Sequence, residues 1–286
     1  MKKQILILLL SALSLFAIES QHVHSSASIY YEMKDFSNSV QKNDGVIYGV
    51  SADIHHKDSM LRAAYEKGAT NTIQPPLSEN LSTDKLYLRY GHILNEQFSL
   101  NVNYINILSD NIAPTDQGVA YGAGLTYTPN KAVAANFTQY YTDYKEFDVY
   151  QSDFKIDYKT SYKELKYKLT ALGKYITFKD KDSNSFSTKA QDDYTTVGLK
   201  IHSHYKTYHL GAGAFFGKRA FAIMNDGFKI QHHAMEFDRT YAVGIGKSFG
   251  DVVLRYQFVY QRATELPMSN ENVEITNNRV ILNYKF

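Results

Sequence analysis

The sequence predicts an all-β chain that closes into a transmembrane antiparallel up-and-down β-barrel of about 14 strands. Three observations carry this prediction. Short segments alternate apolar and polar residues with a period of two, which is the pattern of a β-strand. Tight turns and longer loops alternate between these segments. Aromatic residues, 24 Tyr and 16 Phe in 286 residues, are concentrated near both ends of the apolar faces.

The N-terminal segment MKKQILILLLSALSLFAIES has the pattern of a secretory signal peptide. Two lysines precede an apolar core at positions 5–16, which is too short to span a bilayer as a helix. Small residues that follow the core place the cleavage between 17 and 21. We therefore expect residues 1–20 to be removed after export through the Sec pathway, and residues 21–286 to form the barrel domain.

Fourteen segments carry the strand alternation. The last one, RVILNYKF, places Val280, Leu282, Tyr284 and Phe286 on one face and polar residues on the other. The predicted strands are 27–35, 45–56, 59–68, 85–94, 98–108, 118–128, 132–144, 149–160, 165–179, 193–205, 208–217, 239–249, 252–263 and 276–286.

The connections between these strands are of two kinds. Six are tight turns, and around the turn at 250–251 the apolar faces agree if Phe249 pairs with Val252 and Ile245 with Tyr256. The other connections are mostly longer and polar: 36–44, 69–84, 109–117, 145–148, 180–192, 218–238 and 264–275. All six tight turns lie on the same side as both termini, an asymmetry that is typical of outer-membrane barrels.

The C-terminal strand resembles the last strand of bacterial outer-membrane β-barrel proteins, which ends in an aromatic residue, commonly Phe. The resemblance covers the whole mature chain, and its size and strand count are similar to those of the monomeric 14-stranded porins. It implies that Tyr284 and Phe286 form the signal read by the barrel-assembly machinery. It also implies that the last strand pairs with the first, in the outer membrane of a Gram-negative cell with its lipids as partners.

The inner face of the predicted barrel is basic. Its lysines and arginines outnumber its acids, although the chain has a formal net charge of only +2. So many charges cannot pack into a dry core, so we expect a water-filled lumen of roughly 15 Å inside a backbone of roughly 28 Å. The basic excess predicts passive diffusion of ions and small hydrophilic solutes, with a preference for anions. The predicted pore-lining residues are Lys85, Arg89, Lys155, Lys159, Lys166, Lys168, Lys174, Lys200, Arg255 and Lys285.

Histidines form one further cluster. His202 and His204 point inward on one strand, and His209 pairs with His204 across the following turn. Three imidazoles in this position are candidates for a divalent metal site or a pH switch, but no carboxylate stands at matched spacing. We therefore interpret them as polar lumen residues and expect no cofactor. His232 and His233, in the longest loop, are expected to be solvated.

Other function classes are less well supported. The small net charge gives no reason to expect a nucleic-acid partner, and the absence of cysteine excludes disulfides and thiolate metal sites. Asp192 and Asp193 lie at the predicted outer rim, but no histidine ends a neighbouring strand there, so no enzyme is predicted. Two alternatives stay open, namely a lipid- or peptide-hydrolysing barrel and a non-conducting structural or adhesive barrel.

Overall fold

The structure, a computed structural model, describes residues 23–75, 77–111, 113–144, 146–180 and 190–286. The predicted signal peptide lies outside these residues. Fourteen long strands form the barrel in the described part, and two short strands lie within the longest connection. The strands are β1 (Val23–Ser37), β2 (Lys42–His56), β3 (Ser59–Thr72), β4 (Leu81–Ile93), β5 (Phe98–Asp110), β6 (Val119–Tyr127), β7 (Val133–Asp143), β8 (Asp148–Tyr162), β9 (Leu165–Lys179), β10 (Asp193–Tyr205), β11 (Tyr208–Arg219), β12 (Ile223–Met224), β13 (Lys229–Ile230), β14 (Met235–Phe249), β15 (Val252–Glu265) and β16 (Asn270–Lys285).

The sheet closes on itself as predicted. Each barrel strand is antiparallel to its neighbours, and β16 pairs with β1, with Tyr284 opposite Ala27. The backbone N–H of Phe286 donates to the carbonyl of Ser25 at 2.9 Å, so the pairing continues to the last residue. β11 pairs directly with β14 because β12 and β13 leave the barrel sheet. The prediction of a closed, all-β, 14-stranded up-and-down barrel is therefore confirmed.

Several strands extend beyond their predicted ends on the long-loop side. β16 begins at Asn270, six residues before the predicted start at 276. The added stretch NENVEI still pairs with β15. Alternation is weak there because both faces of a strand can be polar once it has left the bilayer. The period-two signal therefore marks the membrane-crossing part of a strand rather than its full length.

The outer surface of the barrel is apolar. On β10, Val197 and Leu199 are 55% and 67% exposed, whereas the intervening Gly198 is buried. Aromatic pairs stand near the long-loop ends, as Tyr31 and Tyr48 do with ring centroids 5.0 Å apart. A continuous apolar exterior with aromatic residues at its edges is the surface of a barrel in a bilayer. No helix in the described part of the chain is long and apolar enough to cross a membrane.

Candidate functional site: the lumen and its inserted loop

The connection between β11 and β14, residues 220–234, folds into the barrel instead of standing in solvent. Ala220, Phe221 and Ala222 are fully buried, and Ile223 and Ile230 nearly so. Two short strands, β12 and β13, form a hairpin within this segment. The prediction that 218–238 is a polar loop is wrong because its stretch AFAIM is a run of five apolar residues that needs burial.

The tip of this inserted loop is a tight turn at Asn225–Gly227, and all three of its residues have positive φ. Asn, Asp and Gly are the residues that adopt this left-handed conformation most readily. Gly227 is needed for a second reason, because a Cβ at this position would lie 2.6 Å from the Oδ1 of Asn103 on β5. The tip therefore fits closely against β5.

The inserted loop crosses the full width of the barrel. It starts from β11 and returns to β14, and β4 lies seven places from β11 around the ring of 14 strands. On that opposite side, Arg89 of β4 donates from Nη1 to the backbone carbonyl of Asp226 at 3.0 Å. Lys155 of β8 lies 2.7 Å from the Asp226 carboxylate. Burial raises the pKa of Asp226, but these two cations outweigh burial and bring it to about 2.

A second set of contacts holds the apolar arm of the loop. The Gln151 side chain donates to the carbonyl of Ile223 at 2.7 Å and accepts from its N–H at 2.8 Å. Lys174 donates to the same carbonyl at 2.9 Å and pairs with Asp153. Each buried polar group of this hairpin strand thus has a partner on the barrel, as burial requires.

The returning arm is held by a histidine. His232 Nδ1 lies 2.8 Å from Asp110 Oδ2, and Thr115 donates to the same oxygen at 2.7 Å and to the His232 carbonyl at 3.1 Å. Burial lowers the pKa of His232, although Asp110 opposes the shift. Burial lowers the pKa of His233 well below its ordinary value, and His232 adds to the effect. The prediction that both histidines are solvated is wrong, because they belong to the inserted loop, where His232 is buried and His233 is half-buried.

The half of the lumen at the long-loop ends of the strands, here called the outer half, is packed with aromatic side chains. Phe221 from the loop meets the ring of Phe147 at 5.1 Å and those of Tyr144 and Phe178 at 5.8 Å. Phe178 also contacts Tyr194 edge-on at 5.6 Å. This set of five rings, here called the aromatic cluster, belongs to a larger buried apolar core. The expectation of a water-filled lumen is therefore wrong for the outer half.

Near the junction of β1 with β16, the lumen is filled by charged side chains that pair with one another. Glu66 accepts from the hydroxyls of Tyr30 at 2.6 Å and Tyr87 at 3.0 Å, and it lies 3.1 Å from Lys85. Arg279 forms an ion pair with Glu32, which joins β16 to β1. Charges this deeply buried persist only when they are paired, so this network is structural.

The short-turn half of the lumen is open. It holds a cavity of about 1060 Å³, bounded by the inserted loop and by strands on the β8–β16 side of the barrel. Nine lysines and arginines line this cavity, against the two carboxylates of Glu32 and Asp226 among the described residues. A smaller cavity of about 110 Å³ lies beside it and shares Lys168, Lys200 and His202. The open half of the lumen is therefore strongly basic.

The structure divides the ten predicted pore-lining residues by their partners. Lys85 and Lys174 are buried in ion pairs with Glu66 and Asp153. Arg89 and Lys155 contact Asp226, and Lys168 lies 3.2 Å from Asp157. The remaining five have no carboxylate within 4.0 Å in the described part of the chain: Lys159, Lys166, Lys200, Arg255 and Lys285. A role in permeation stays a prediction for all ten.

The predicted histidine pair forms near the short-turn end of the cavity. His204 and His209 lie opposite each other with their Nδ1 atoms 3.1 Å apart, and His209 Nε2 is 2.8 Å from the Ser248 hydroxyl. His202 lies two residues further along β10, beside Lys168 of β9. The described residues contain no group of three or more histidines and carboxylates arranged to hold a metal ion.

Two residues of the site escaped the sequence interpretation. Asp226 binds the tip to the opposite side of the barrel, and Lys229 adds a cation to the cavity. Both lie outside any strand of the barrel, where alternation carries no information. The AFAIM run followed by Asn-Asp-Gly was the available signal, since it combines an apolar segment with a tight turn.

The fold is shared with known barrels, at low sequence identity. A bacterial polysaccharide outer membrane secretin aligns with a TM-score of 0.56 and 9% identity over 92% of this chain and 98% of its own. The CymD monoaromatic hydrocarbon channel aligns with a TM-score of 0.54 and 10% identity over 93% of this chain and 88% of its own. The Acinetobacter baumannii outer membrane protein Omp33 aligns with a TM-score of 0.52 and 10% identity over 93% of this chain and 100% of its own. No family model matches the sequence, and no curated protein does.

Closed topology, apolar exterior and these alignments define the class. The chain has the fold of an outer-membrane β-barrel. Its lumen combines an inserted loop, a packed outer half and an open basic half.

Proposed function

We propose that this protein is an outer-membrane pore for ions and small hydrophilic solutes. The observation that carries the proposal is the cavity of about 1060 Å³ inside a closed barrel, lined by basic side chains. A barrel whose only task was structural would not need an open, charged interior. The CymD protein is named as a channel, and its barrel aligns with this one.

The inserted loop is the constriction of this pore. It crosses from β11 to β4 and packs its apolar arm into the aromatic cluster, so solutes must pass beside or displace it. On the opposite side its tip contacts Arg89, fits closely against Asn103 at Gly227, and places the Phe228 ring 6.2 Å from that of Tyr87. Lys155 of β8 holds the Asp226 carboxylate. Loosening the tip should therefore enlarge the passage without unfolding the barrel.

The basic cavity should favour anions. Rings of Lys and Arg lower the barrier for negative solutes. Lys159 and Lys166 project into the cavity without a carboxylate within 4.0 Å in the described residues, so their charge is available to a passing ion. Lys85 and Lys174 are neutralised in buried pairs and should contribute little.

Planar-bilayer recording tests the pore. The purified protein should conduct, and its reversal potential in a salt gradient should indicate a modest anion preference. Gly227→Val should raise the conductance, because the side chain would clash with Asn103 and would strain a residue whose φ is +93°. The control is Gly173→Val, since a Cβ there meets no atom within 4 Å. Absence of conductance in the wild type contradicts the proposal.

Export and assembly complete the proposal. The Lys-Lys start and the apolar core at 5–16 support export through the Sec pathway. Tyr284 and Phe286 lie on the outer face with rings in edge contact at 4.9 Å, accessible to the barrel-assembly machinery. Deleting Phe286 should reduce the yield of heat-modifiable barrel in the outer membrane. A normal yield would remove the assembly role of this residue.

Enzyme activity has no comparable support. Asp110 and His232 form a close histidine–carboxylate pair, but this pair is buried and is best explained as an anchor of the inserted loop on the barrel. A general acid or base must reach its substrate.

A further inference from the structure

Part of the cavity lining on β11 and β14 has no side chains. Gly211 and Gly213 of β11 and Gly244 and Gly246 of β14 all face the cavity, and Gly211 lies directly opposite Gly244. Gly211, Gly213 and Gly244 leave their backbone partly exposed to the lumen, and Gly246 is covered by the neighbouring Arg255. We call these four residues the glycine floor.

Cationic side chains flank the glycine floor on both sides. On β10, Lys200 lies opposite Gly213 and His202 opposite Gly211. On β15, Arg255 lies opposite Gly246. A Cβ on Gly246 would come within 2.7 Å of Arg255 Cγ, and one on Gly213 within 3.2 Å of Lys200 Cγ. The cations thus rest against the edges of the floor, and only glycine leaves them room.

Neither flanking cation is neutralised. Lys200 and Arg255 have no carboxylate within 4.0 Å among the described residues, and Lys200 instead lies over the Phe215 ring at 5.2 Å. Arg255 and His202 are exposed to the cavity. Cations focused in a cavity with little counter-charge raise the local concentration of anions. An anion that reaches the floor meets charge from two sides.

We propose that the glycine floor and its flanking cations bind a small organic dianion. One acidic group pairs with Lys200, the other with Arg255, and the body of the solute lies over Gly211 and Gly244. β10 and β15 are three strand spacings apart, and Lys200 and Arg255 are also four residues out of register along the strands. Their backbones are therefore roughly 20 Å apart on a diagonal over Gly211 and Gly244, so both long side chains must reach toward the ligand and a ligand with one acidic group contacts only one of them. The guanidinium of Arg255 can hold a carboxylate with two hydrogen bonds. The inference rests on the proposed pore for access of the solute.

Equilibrium binding to the detergent-purified full chain tests this site without requiring conduction. Succinate, titrated at about pH 8 by calorimetry, should bind saturably, and acetate should bind at least about tenfold more weakly. Arg255→Gln and Lys200→Met should each weaken succinate binding about tenfold, since each removes a charged hydrogen bond. Gly244→Val should weaken it as well while leaving every charge in place.

Two controls separate the site from the general field of the cavity. A Cβ on Gly244 would meet the backbone oxygen of Tyr256 at 3.3 Å and nothing closer, so Gly244→Val requires a local backbone shift of a few tenths of an ångström. Lys159→Gln removes one charge from the same cavity, two strands from β10, and should change succinate binding less than about twofold. Equal losses from Lys159→Gln and Arg255→Gln would overturn the site, because a diffuse field would then explain the binding.

Inorganic phosphate distinguishes a bridging ligand from simple charge recognition. It carries the charge of a dianion at about pH 8 but is too short to reach both sides, so it should bind more weakly than succinate. Phosphate binding as tight as succinate binding would overturn the bridging geometry. Saturable succinate binding in a protein that fails to conduct would support the dianion site and contradict the proposed pore. Conduction without succinate binding would support the pore and contradict the dianion site.

Discussion

The two halves of the lumen are built from the same strands but contain opposite kinds of residue. On β9, Phe178 and Ile176 of the outer half are buried, whereas Lys166 at the short-turn end is exposed. The inserted loop divides the halves, with its apolar arm in the outer one and Asp226 and Lys229 beside the cavity. One strand face can therefore supply a packed core at one end and a wet, charged surface at the other.

In the proposed pore, this difference separates the part of the lumen that is closed by packing from the part that solutes would reach. The packed half holds the loop through apolar burial, which is favourable in proportion to the area removed from water. The open half presents cations that a solute can reach. Stability and permeation are therefore assigned to different ends of the same strands, and substitutions at the two ends should have separable effects.

The largest expected effect is on stability, from truncation in the outer half. Phe178→Ala removes a ring that contacts Phe147, Tyr194 and Phe221, and it should cost about 3–5 kcal/mol in the free energy of unfolding. Lys166→Ala, on the same face of the same strand, should cost less than about 0.5 kcal/mol. Urea titration in lipid vesicles measures both. Similar costs would contradict the division of the lumen.

The next effect tests the outer face of the same barrel. Leu199→Arg, in the middle of β10 and 67% exposed, should cost about 2–4 kcal/mol, because a cation near the bilayer midplane is poorly solvated. The neighbouring Lys200→Met should be milder for folding, since its side chain faces the cavity. The same titration checks the pair. A loss of less than about 1 kcal/mol in the free energy of unfolding for Leu199→Arg would mean that this face does not contact lipid.

Most of the barrel could be predicted from the sequence because each crossing strand separates two environments. The pairing of Phe249 with Val252 follows from alternation and turn position, and the pairing of the last strand with the first is expected from the resemblance, without its register. The same signal cannot distinguish Lys85 from Lys166, since both are inward. Whether such a lysine is buried in an ion pair or exposed depends on Glu66 of another strand, which periodicity does not report.

The inserted loop could not be predicted by the same means. Its residues have no period, and its place is set by partners far away in sequence, such as Gln151 and Arg89. The glycine floor likewise depends on the register of β11 against β14, which no tight turn sets. Local pattern specifies the barrel, whereas the site is specified by contacts between distant segments.

A pH effect of intermediate size should appear in the outer half alone. His233 is half-buried in the folded loop, where desolvation and the nearby His232 hold its pKa well below the ordinary value, so it is neutral there. The released loop binds a proton below about pH 6.5, so the stability of insertion is complete above that pH and falls as pH decreases. The population of released loop should rise by at most about tenfold per pH unit for this single proton.

Fluorescence can follow this release, because the chain has no Trp and Phe228→Trp introduces a single one on the loop. In that background, His233→Phe should reduce the pH response, since it removes the group with the larger pKa shift and keeps a ring beside Phe36. The buried His232 on the same loop should supply the remaining response. His204→Gln, in the open half, should leave the response unchanged. An undiminished pH response in His233→Phe would exclude this histidine as its source.

The smallest expected effect is on ion selectivity, and it should come from the open half. Lys159→Gln with Lys166→Gln removes two cations of the cavity, and Lys247→Gln removes one from the outer face, where it lies over the Tyr208 ring at 5.2 Å. Screening acts over about 8 Å at physiological ionic strength and about 3 Å at 1 M. The anion preference of the wild type should therefore be visible in dilute salt and fade in concentrated salt.

The double variant should reduce the anion preference by less than about threefold, and only in dilute salt. Lys247→Gln should leave the preference unchanged, because charge outside the barrel is separated from the lumen by the sheet. Reversal potentials recorded at both salt concentrations check this. A preference that persists at 1 M salt would mean that close contacts at the inserted loop, rather than the field of the cavity lysines, select the ion.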